Sequence, residues 1–254
     1  MLLIMIPIKT VRELSLMKDA CHLAAEALRL AGEAVKPGIS TLEIDSIVAR
    51  YLKKEGAVPS FFGYQGFTKN ICVSVNNVVI HGIPNRACIL KEGDIVSIDV
   101  GAFYKGYHGD NAKTFICGET SDEAKALVDV TRECLFEGIG AAFAGNRVGD
   151  ISNAVQKYAE AHSYSVVRKF VGHGVGVKLH EDPAVPNFGT AGRGPRLMPG
   201  MTIAIEPMVN MGGFEVKILN DDWTVVTADN SLSAHFEHTV AILPSGPEIL
   251  TIGV

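Results

Sequence analysis

The chain has 254 residues, 47% of them hydrophobic and 20% charged, which is enough apolar material for a substantial core in one large domain or two ordinary ones. A net charge of −5 gives no electrostatic ground for a nucleic-acid partner. The five cysteines (Cys21, Cys72, Cys88, Cys117 and Cys134) are scattered, odd in number and free of any C-x-x-C pair. That pattern argues against a disulfide framework or a thiolate zinc site and for a reducing, cytoplasmic setting.

In chain order, residues 1–8 are apolar but lack a basic leader, are interrupted by Pro7, and fall well short of the roughly 20 residues of a membrane span. A short edge strand or a packed arm is expected there, and no membrane partner. Leu14, Met17, Cys21, Ala24 and Leu28 recur at helical spacing over residues 11–35, stopped by Pro37-Gly38. Ser40-Thr41-Leu42-Glu43 reads as a capping box opening a helix that runs to about Lys54. Residues 71–80 and 94–104 carry the β-branched, apolar runs of strands. A turn at residues 104–109 leads into a return strand that Lys113 to Cys117 continues. Thr120-Ser121-Asp122-Glu123 then reads as a second capping box, opening a helix over about 122–143. The glycine-containing stretch 189–195 lacks the Lys-Ser/Thr pair of a phosphate loop and is expected as a loop near the mouth of a site.

The second half repeats the first. Gly38 and Gly145, Ile44 and Ile151, Val48 and Val155, and Tyr51 and Tyr158 are each 107 residues apart. The same offset relates Gly93 to Gly200 and Asp99 to Glu206. No Pro- or Ser-rich linker separates the halves. The expectation is a single pseudo-symmetric domain over residues 1–254, with repeats at about 11–119 and 120–250.

Each repeat delivers an acid from an apolar strand, and burying an acid among Ile and Val is costly unless its charge is compensated. In Ile95-Val96-Ser97-Ile98-Asp99 the side chains alternate faces, so Ser97 and Asp99 share one. A hairpin turning through Gly106 and Gly109 returns Asp110 beside Asp99, and two adjacent carboxylates repel unless they share cations or a proton. Glu206 comes from the matching strand. Glu237 comes from an alternating strand over residues 234–241, sharing a face with His235 and Thr239. His173, between two glycines, taken alone is more often a satisfied core residue; beside four strand acids it reads as a metal ligand. This hard, oxygen-dominated set suits Mn, Fe, Co or Zn ions, and it holds too many carboxylates for one ion, pointing to a dinuclear site. His108 and His238 are expected as supporting groups beside the ligands.

The ordered set His81-Gly82-Ile83-Pro84, Asp99 through His108-Gly109-Asp110, Gly172-His173-Gly174, Ile205-Glu206-Pro207 and Phe236-Glu237-His238-Thr239 resembles the methionine aminopeptidases over nearly the whole length. Only 31 positions separate Glu206 from Glu237, which matches the shorter, bacterial type I class and not the type II class with its inserted helices. The resemblance implies an α/β (α+β) pita-bread fold with internal pseudo-twofold symmetry, helices packed outside a curved, mostly antiparallel sheet. It implies removal of the initiator methionine from nascent polypeptides, best before a small second residue, in the cytoplasm. Two divalent ions would be held by Asp99, Asp110, His173, Glu206 and Glu237, with Asp110 and Glu237 bridging. A water between the ions would be acidified to attack the scissile carbonyl, Glu206 would shuttle its proton, and His180 would stabilise the tetrahedral intermediate. His81 would contact the scissile amide nitrogen. Tyr64, Phe67, Cys72 and Trp223 fall at positions of the methionine pocket, while Phe61, Leu179 and Gly101 depart from common family residues. A monovalent Na or K ion would map to Asn76, Val78 and Ser233. A monomer is expected, with the ribosome as a further partner. Two other readings stay open: a proline-directed peptidase of the same fold, and a non-catalytic binding protein that kept it.

Overall fold

The computed structural model describes residues 6–252. Of the expected arm, residues 1–5 therefore lie outside the described part. Residues 6–10 form no strand and run as an extended arm into the first helix.

Four helices and fifteen strands follow in the order α1 (Val11–Glu33), α2 (Thr41–Lys54), β1 (Val58–Pro59), β2 (Cys72–Val75), β3 (Val78–Ile80), β4 (Ile95–Tyr104), β5 (Tyr107–Ile116), α3 (Asp122–Gly140), α4 (Val148–Ala161), β6 (Ser165–Val166), β7 (Gly172–Gly174), β8 (Glu181–Val185), β9 (Thr202–Ile205), β10 (Met208–Asn210), β11 (Val216–Ile218), β12 (Val225–Thr227), β13 (Ser233–His235), β14 (Glu237–Leu243) and β15 (Gly246–Ile249). A nine-stranded antiparallel sheet runs β1-β4-β5-β14-β9-β7-β8, with β2 on β4 and β15 on β14. Smaller sheets run β13-β10-β6 and β11-β12-β3. Strand β14 joins the halves, pairing with β5 on one side and β9 on the other.

Both expected helices of the first half form for the expected reasons. At α2, the Ser40 N–H donates to Glu43 Oε2 at 2.9 Å while Ser40 Oγ accepts from the Glu43 N–H at 3.3 Å, satisfying two otherwise unpaired donors. The second box is one-sided. Ser121, not Thr120, caps α3, and Ala124 stands where the box needs an acid. Thr120 is diverted, its hydroxyl donating to Gly93 O at 2.7 Å. Helix α3 also stops at Gly140, short of the expected residue 143. The return strand begins inside the expected turn, pairing with β4 from Tyr107 onward.

The offset of 107 extends to hydrogen bonds. Gly38 N–H donates to Leu90 O at 2.8 Å, and Gly145 N–H to Leu197 O at 2.9 Å. Leu90 and Leu197 return bonds to Ile39 O and Asn146 O, both at 2.8 Å. Two cores match as well: Ile44, Val48 and Leu90 are buried under α1 and α2, and Ile151, Val155 and Leu197 under α3 and α4. The symmetry breaks at the acids. Strand β4 runs unbroken through Asp99, but its counterpart ends at Ile205, because Pro207 has no N–H to offer a ladder. The expected strand 234–241 likewise splits at Phe236, whose ring joins the core under α3.

Candidate metal centre

The sequence-predicted ligands meet on one face of the large sheet. Asp99 and Asp110 project from the β4–β5 hairpin, where Gly101 pairs with Asp110 and Asp99 with Ala112. Thr239 staples β14 to this hairpin: its hydroxyl donates to Asp110 O at 2.8 Å and accepts from the Asp110 N–H at 3.1 Å. That fixes Glu237, two residues earlier on β14, opposite Ala112. Carboxylate oxygens of Asp110 and Glu237 and a ring nitrogen of His173 all lie within 4.8 Å of one another. Glu206 completes the group, its Oε1 at 3.5 Å from His173 Nε2 and its backbone carbonyl held by Asn187 Nδ2 at 2.9 Å.

His173 turns one ring nitrogen toward the acids. Its Nδ1–H donates to Gly174 O at 2.8 Å, which leaves the Nε2 lone pair facing the carboxylates. The flanking glycines allow β7 to lie close between its neighbours. A Cβ on Gly172 would stand 2.4 Å from Ala204 O, and one on Gly174 2.3 Å from Asp182 O. Burial, helped by the nearby His180 ring, lowers the His173 pKa to about 3, so the imidazole is neutral at physiological pH.

Burial acts in the opposite direction on the acids. Asp99, Glu206 and Glu237 are raised well above the usual carboxylate range, first by desolvation and then by the charge of Asp110, with Glu206 adding to the rise at Asp99 and Glu237. Asp110 rises to about 7, mainly through burial. Asp99 Oδ1, Asp110 Oδ1 and Glu237 Oε1 are buried without hydrogen-bond partners. Unpaired buried carboxylate oxygens are costly, and divalent cations would satisfy them. The donor set therefore fits hard or borderline divalent ions.

Above these acids lies a cavity of about 370 Å³. Tyr64, Phe67, Cys72 and Trp223 line it, with Phe61 and Leu179. Cys72 stands directly opposite Asp99 on β2, so the apolar pocket abuts the acid cluster. His81 enters from the end of β3 with φ +58, an uncommon backbone conformation for a non-glycine residue and one that clusters at functional sites. Edge-on contacts with Phe170 and Trp223 hold its ring, and burial lowers its pKa to about 4. The His180 ring lies 5.1 Å from that of Tyr64 and 4.1 Å from that of His173. Burial also lowers its pKa, favouring the neutral ring.

Other expectations turn out differently. His238 is not beside the ligands: it lies on the opposite face of the sheet, bonded to Thr251 Oγ1 at 2.9 Å, because neighbours on β14 alternate sides. His108 turns to Ser60 Oγ at 2.8 Å and does not line the cavity. The stretch 189–195 is a loop, as expected, and packs on α4, where the Gly192 N–H donates to Asp150 Oδ1 at 2.7 Å and Asn153 Nδ2 donates to Gly189 O at 3.0 Å. Asn76 and Ser233 do come together, the Ser233 N–H donating to Asn76 O at 2.9 Å, with Val78 two residues along the chain in β3. Sequence reasoning put His235 on the face of Glu237 but gave it no part in the site. It is buried, with Nε2 unpartnered and 3.7 Å from Glu206 Oε2. Its alternation with Glu237 was the available signal. Phe170 and Val171, ahead of the Gly-His-Gly segment, also line the cavity without any signal in the sequence.

Residues 15–244 match the model of metallopeptidase family M24. A methionine aminopeptidase of Clostridium perfringens is 56% identical over 248 residues, covering 98% of this chain and 99% of its own. The crystal structure of a methionine aminopeptidase from Thermotoga maritima superposes with a TM-score of 0.96 at 48% identity, covering 97% of this chain and 99% of that one. The prolidase of Pyrococcus furiosus shares the fold at a TM-score of 0.80 and 24% identity, covering 97% of this chain but only 66% of its own.

Proposed function

This chain belongs to metallopeptidase family M24, among its methionine aminopeptidases of pita-bread fold, and from that premise we propose how its residues divide the work. Asp99, Asp110, His173, Glu206 and Glu237 hold two divalent ions, drawn from Co, Mn, Fe or Zn. The observation that carries this reading is the convergence of three unpartnered carboxylate oxygens with the neutral His173 at one end of an apolar cavity. When bound, such ions polarise a scissile carbonyl and acidify a water at neutral pH.

The chain's own groups do the rest. Glu206 accepts the water's proton and hands it to the leaving amine, a role suited to a carboxylate whose pKa burial has raised. The His180 N–H donates to the carbonyl oxygen as charge gathers there. His81 contacts the scissile amide nitrogen. Tyr64, Phe67, Cys72 and Trp223 take the methionine side chain, with S–aromatic contacts of about 0.3–1.5 kcal/mol. The substrates are N-termini of nascent polypeptides, preferably with a small second residue, in the cytoplasm. Among the described residues no helix is long and apolar enough to cross a membrane. The chain acts as a monomer, with the ribosome as a partner and a monovalent Na or K ion at Asn76, Val78 and Ser233. One pseudo-symmetric domain is supported by the hydrogen bonds repeated at an offset of 107 and by the sheet that β14 carries through both halves.

The test is release of Met from Met-Ala-Ser by stripped protein reloaded with each divalent ion. Activity that tracks ion loading is expected. Turnover of X-Pro peptides without Met release would overturn the substrate, and the absence of divalent-ion binding would overturn the site. His180→Ala should keep its ions in calorimetric titration while kcat falls about a hundredfold or more, as for loss of an oxyanion donor. An unchanged kcat would remove His180 from that role.

A further inference from the structure

Lys9 belongs to the extended arm ahead of α1, yet it is only 7% exposed. Its Nζ lies 2.5 Å from Glu181 Oε2, and the two side chains are 5% and 7% exposed. A lysine and a glutamate buried this deeply are each costly without the other. The pair joins residues 172 positions apart. Space for it is built in: a Cβ on Gly176 would stand 2.6 Å from Lys9 Cε.

The other oxygen of Glu181 closes a loop. Oε1 accepts from the Lys178 N–H at 3.1 Å, so one carboxylate holds both ends of residues 178–181. Between those ends, Leu179 is buried in the cavity wall and His180 stands against Tyr64 and His173. At its backbone, Lys9 does a second job: its N–H donates to Gly200 O at 2.7 Å, in the turn that opens β9 on the way to Glu206. The arm thus ties the loop of His180 to the turn that leads to Glu206.

We propose that Lys9 is a positioning residue for His180, acting through the Glu181 carboxylate. The inference rests on the role given to His180 above. Lys9 touches no substrate; it fixes the frame that aims the imidazole. Displacing a catalytic group by about 1 Å can cost about a hundredfold in rate.

The experiment compares the full-length wild type with Lys9→Met, Lys9→Arg, Lys9→Met/Glu181→Met, His180→Ala and Lys9→Met/His180→Ala. Readouts are steady-state kinetics on Met-Ala-Ser, divalent-ion affinity, thermal midpoint and hydrogen exchange over residues 176–182. Lys9→Met is expected to lower kcat about ten- to a hundredfold, with KM and ion affinity little changed and faster exchange over 176–182. Lys9→Arg should recover most of the rate. The apolar pair Lys9→Met/Glu181→Met should regain the thermal midpoint but not kcat, and Lys9→Met should add nothing to His180→Ala. Recovery of both midpoint and kcat by the apolar pair would reduce Lys9 to a structural role, and multiplying effects of Lys9→Met and His180→Ala would overturn action through His180. A wild type that releases no Met would defeat the functional reading instead. Hydrogen exchange would still test the latch: protection of 176–182 unchanged in Lys9→Met would overturn it.

Discussion

At the scale of single residues, Gly101 and Phe61 are sterically coupled. A Cβ at position 101 would lie 2.7 Å from Ser60 Cβ and 2.9 Å from Phe61 Cε1, so the phenyl ring occupies room that only a glycine at 101 leaves. Ser60 is anchored by its N–H to Gly101 O at 2.9 Å and by its hydroxyl to His108. Phe61, which lines the cavity, is the side chain free to yield. Gly101→Ala should therefore push the ring into the pocket. Overpacking of this kind costs about 1–3 kcal/mol, which, if borne by the pocket, corresponds to a KM for Met-peptides raised about fivefold to a hundredfold. Michaelis kinetics should show that rise with ion affinity intact, and adding Phe61→Ala should relieve it. Equal KM values in Gly101→Ala and the wild type would refute the steric coupling. Asp99 and Asp110 were legible in the sequence because a hairpin keeps partners eleven residues apart. The Lys9–Glu181 pair was not, since nothing local marks a contact across 172 positions.

At the scale of elements, the sequence spoke most clearly where local chemistry decides. The Ser40–Glu43 box and the start of α2 follow from four consecutive residues. The counterpart helix α4 keeps half the device: Asp150 Oδ2 accepts from the Arg147 N–H at 2.7 Å, but Arg147 has no hydroxyl to offer in return. Ser40→Ala should lower stability by about 1 kcal/mol, the usual cost of a lost N-cap, read as a lower denaturant midpoint at constant slope. No shift in that midpoint would mean the cap is redundant with packing. Where tertiary demands decide, the local reading failed. Thr120 had the sequence of a cap but was drawn off to Gly93, and Phe236 interrupted an alternating strand because its ring belongs to the core under α3. The position of His238 was readable from alternation, once Glu237 was assigned to the site face.

At the scale of the whole molecule, burial of the acid cluster sets how stability depends on pH. His173 and His235 are lowered to about 3, and His81, His108 and His238 to about 4, all mainly by burial. Between those values and their ordinary 6.5 the unfolded chain binds more protons at these sites, so the histidines favour folding as pH rises to 6.5. Buried acids work the other way. Asp110 at about 7, and Asp99, Glu206 and Glu237 held well above the carboxylate range, bind more protons when folded, so they weaken the fold as pH rises. Below 6.5 the two groups oppose; above it only the acids act. Thermal melts of metal-stripped protein should show stability falling beyond pH 6.5, and divalent ions should raise the midpoint most at the high end. A stripped protein indifferent to pH from 6.5 to 8 would contradict the buried cluster. Strand β14 adds a consequence in time. It is the piece that zips β5 to β9, it brings Glu237, and it comes next to last among the strands. During synthesis the strands that carry Asp99 and Asp110 and those that lead to His173 and Glu206 are not paired within the large sheet until β14 arrives. The same late strand that closes the large sheet supplies Glu237, the last of the proposed ligands, so on that proposal an unfinished copy of this enzyme is also an unarmed one.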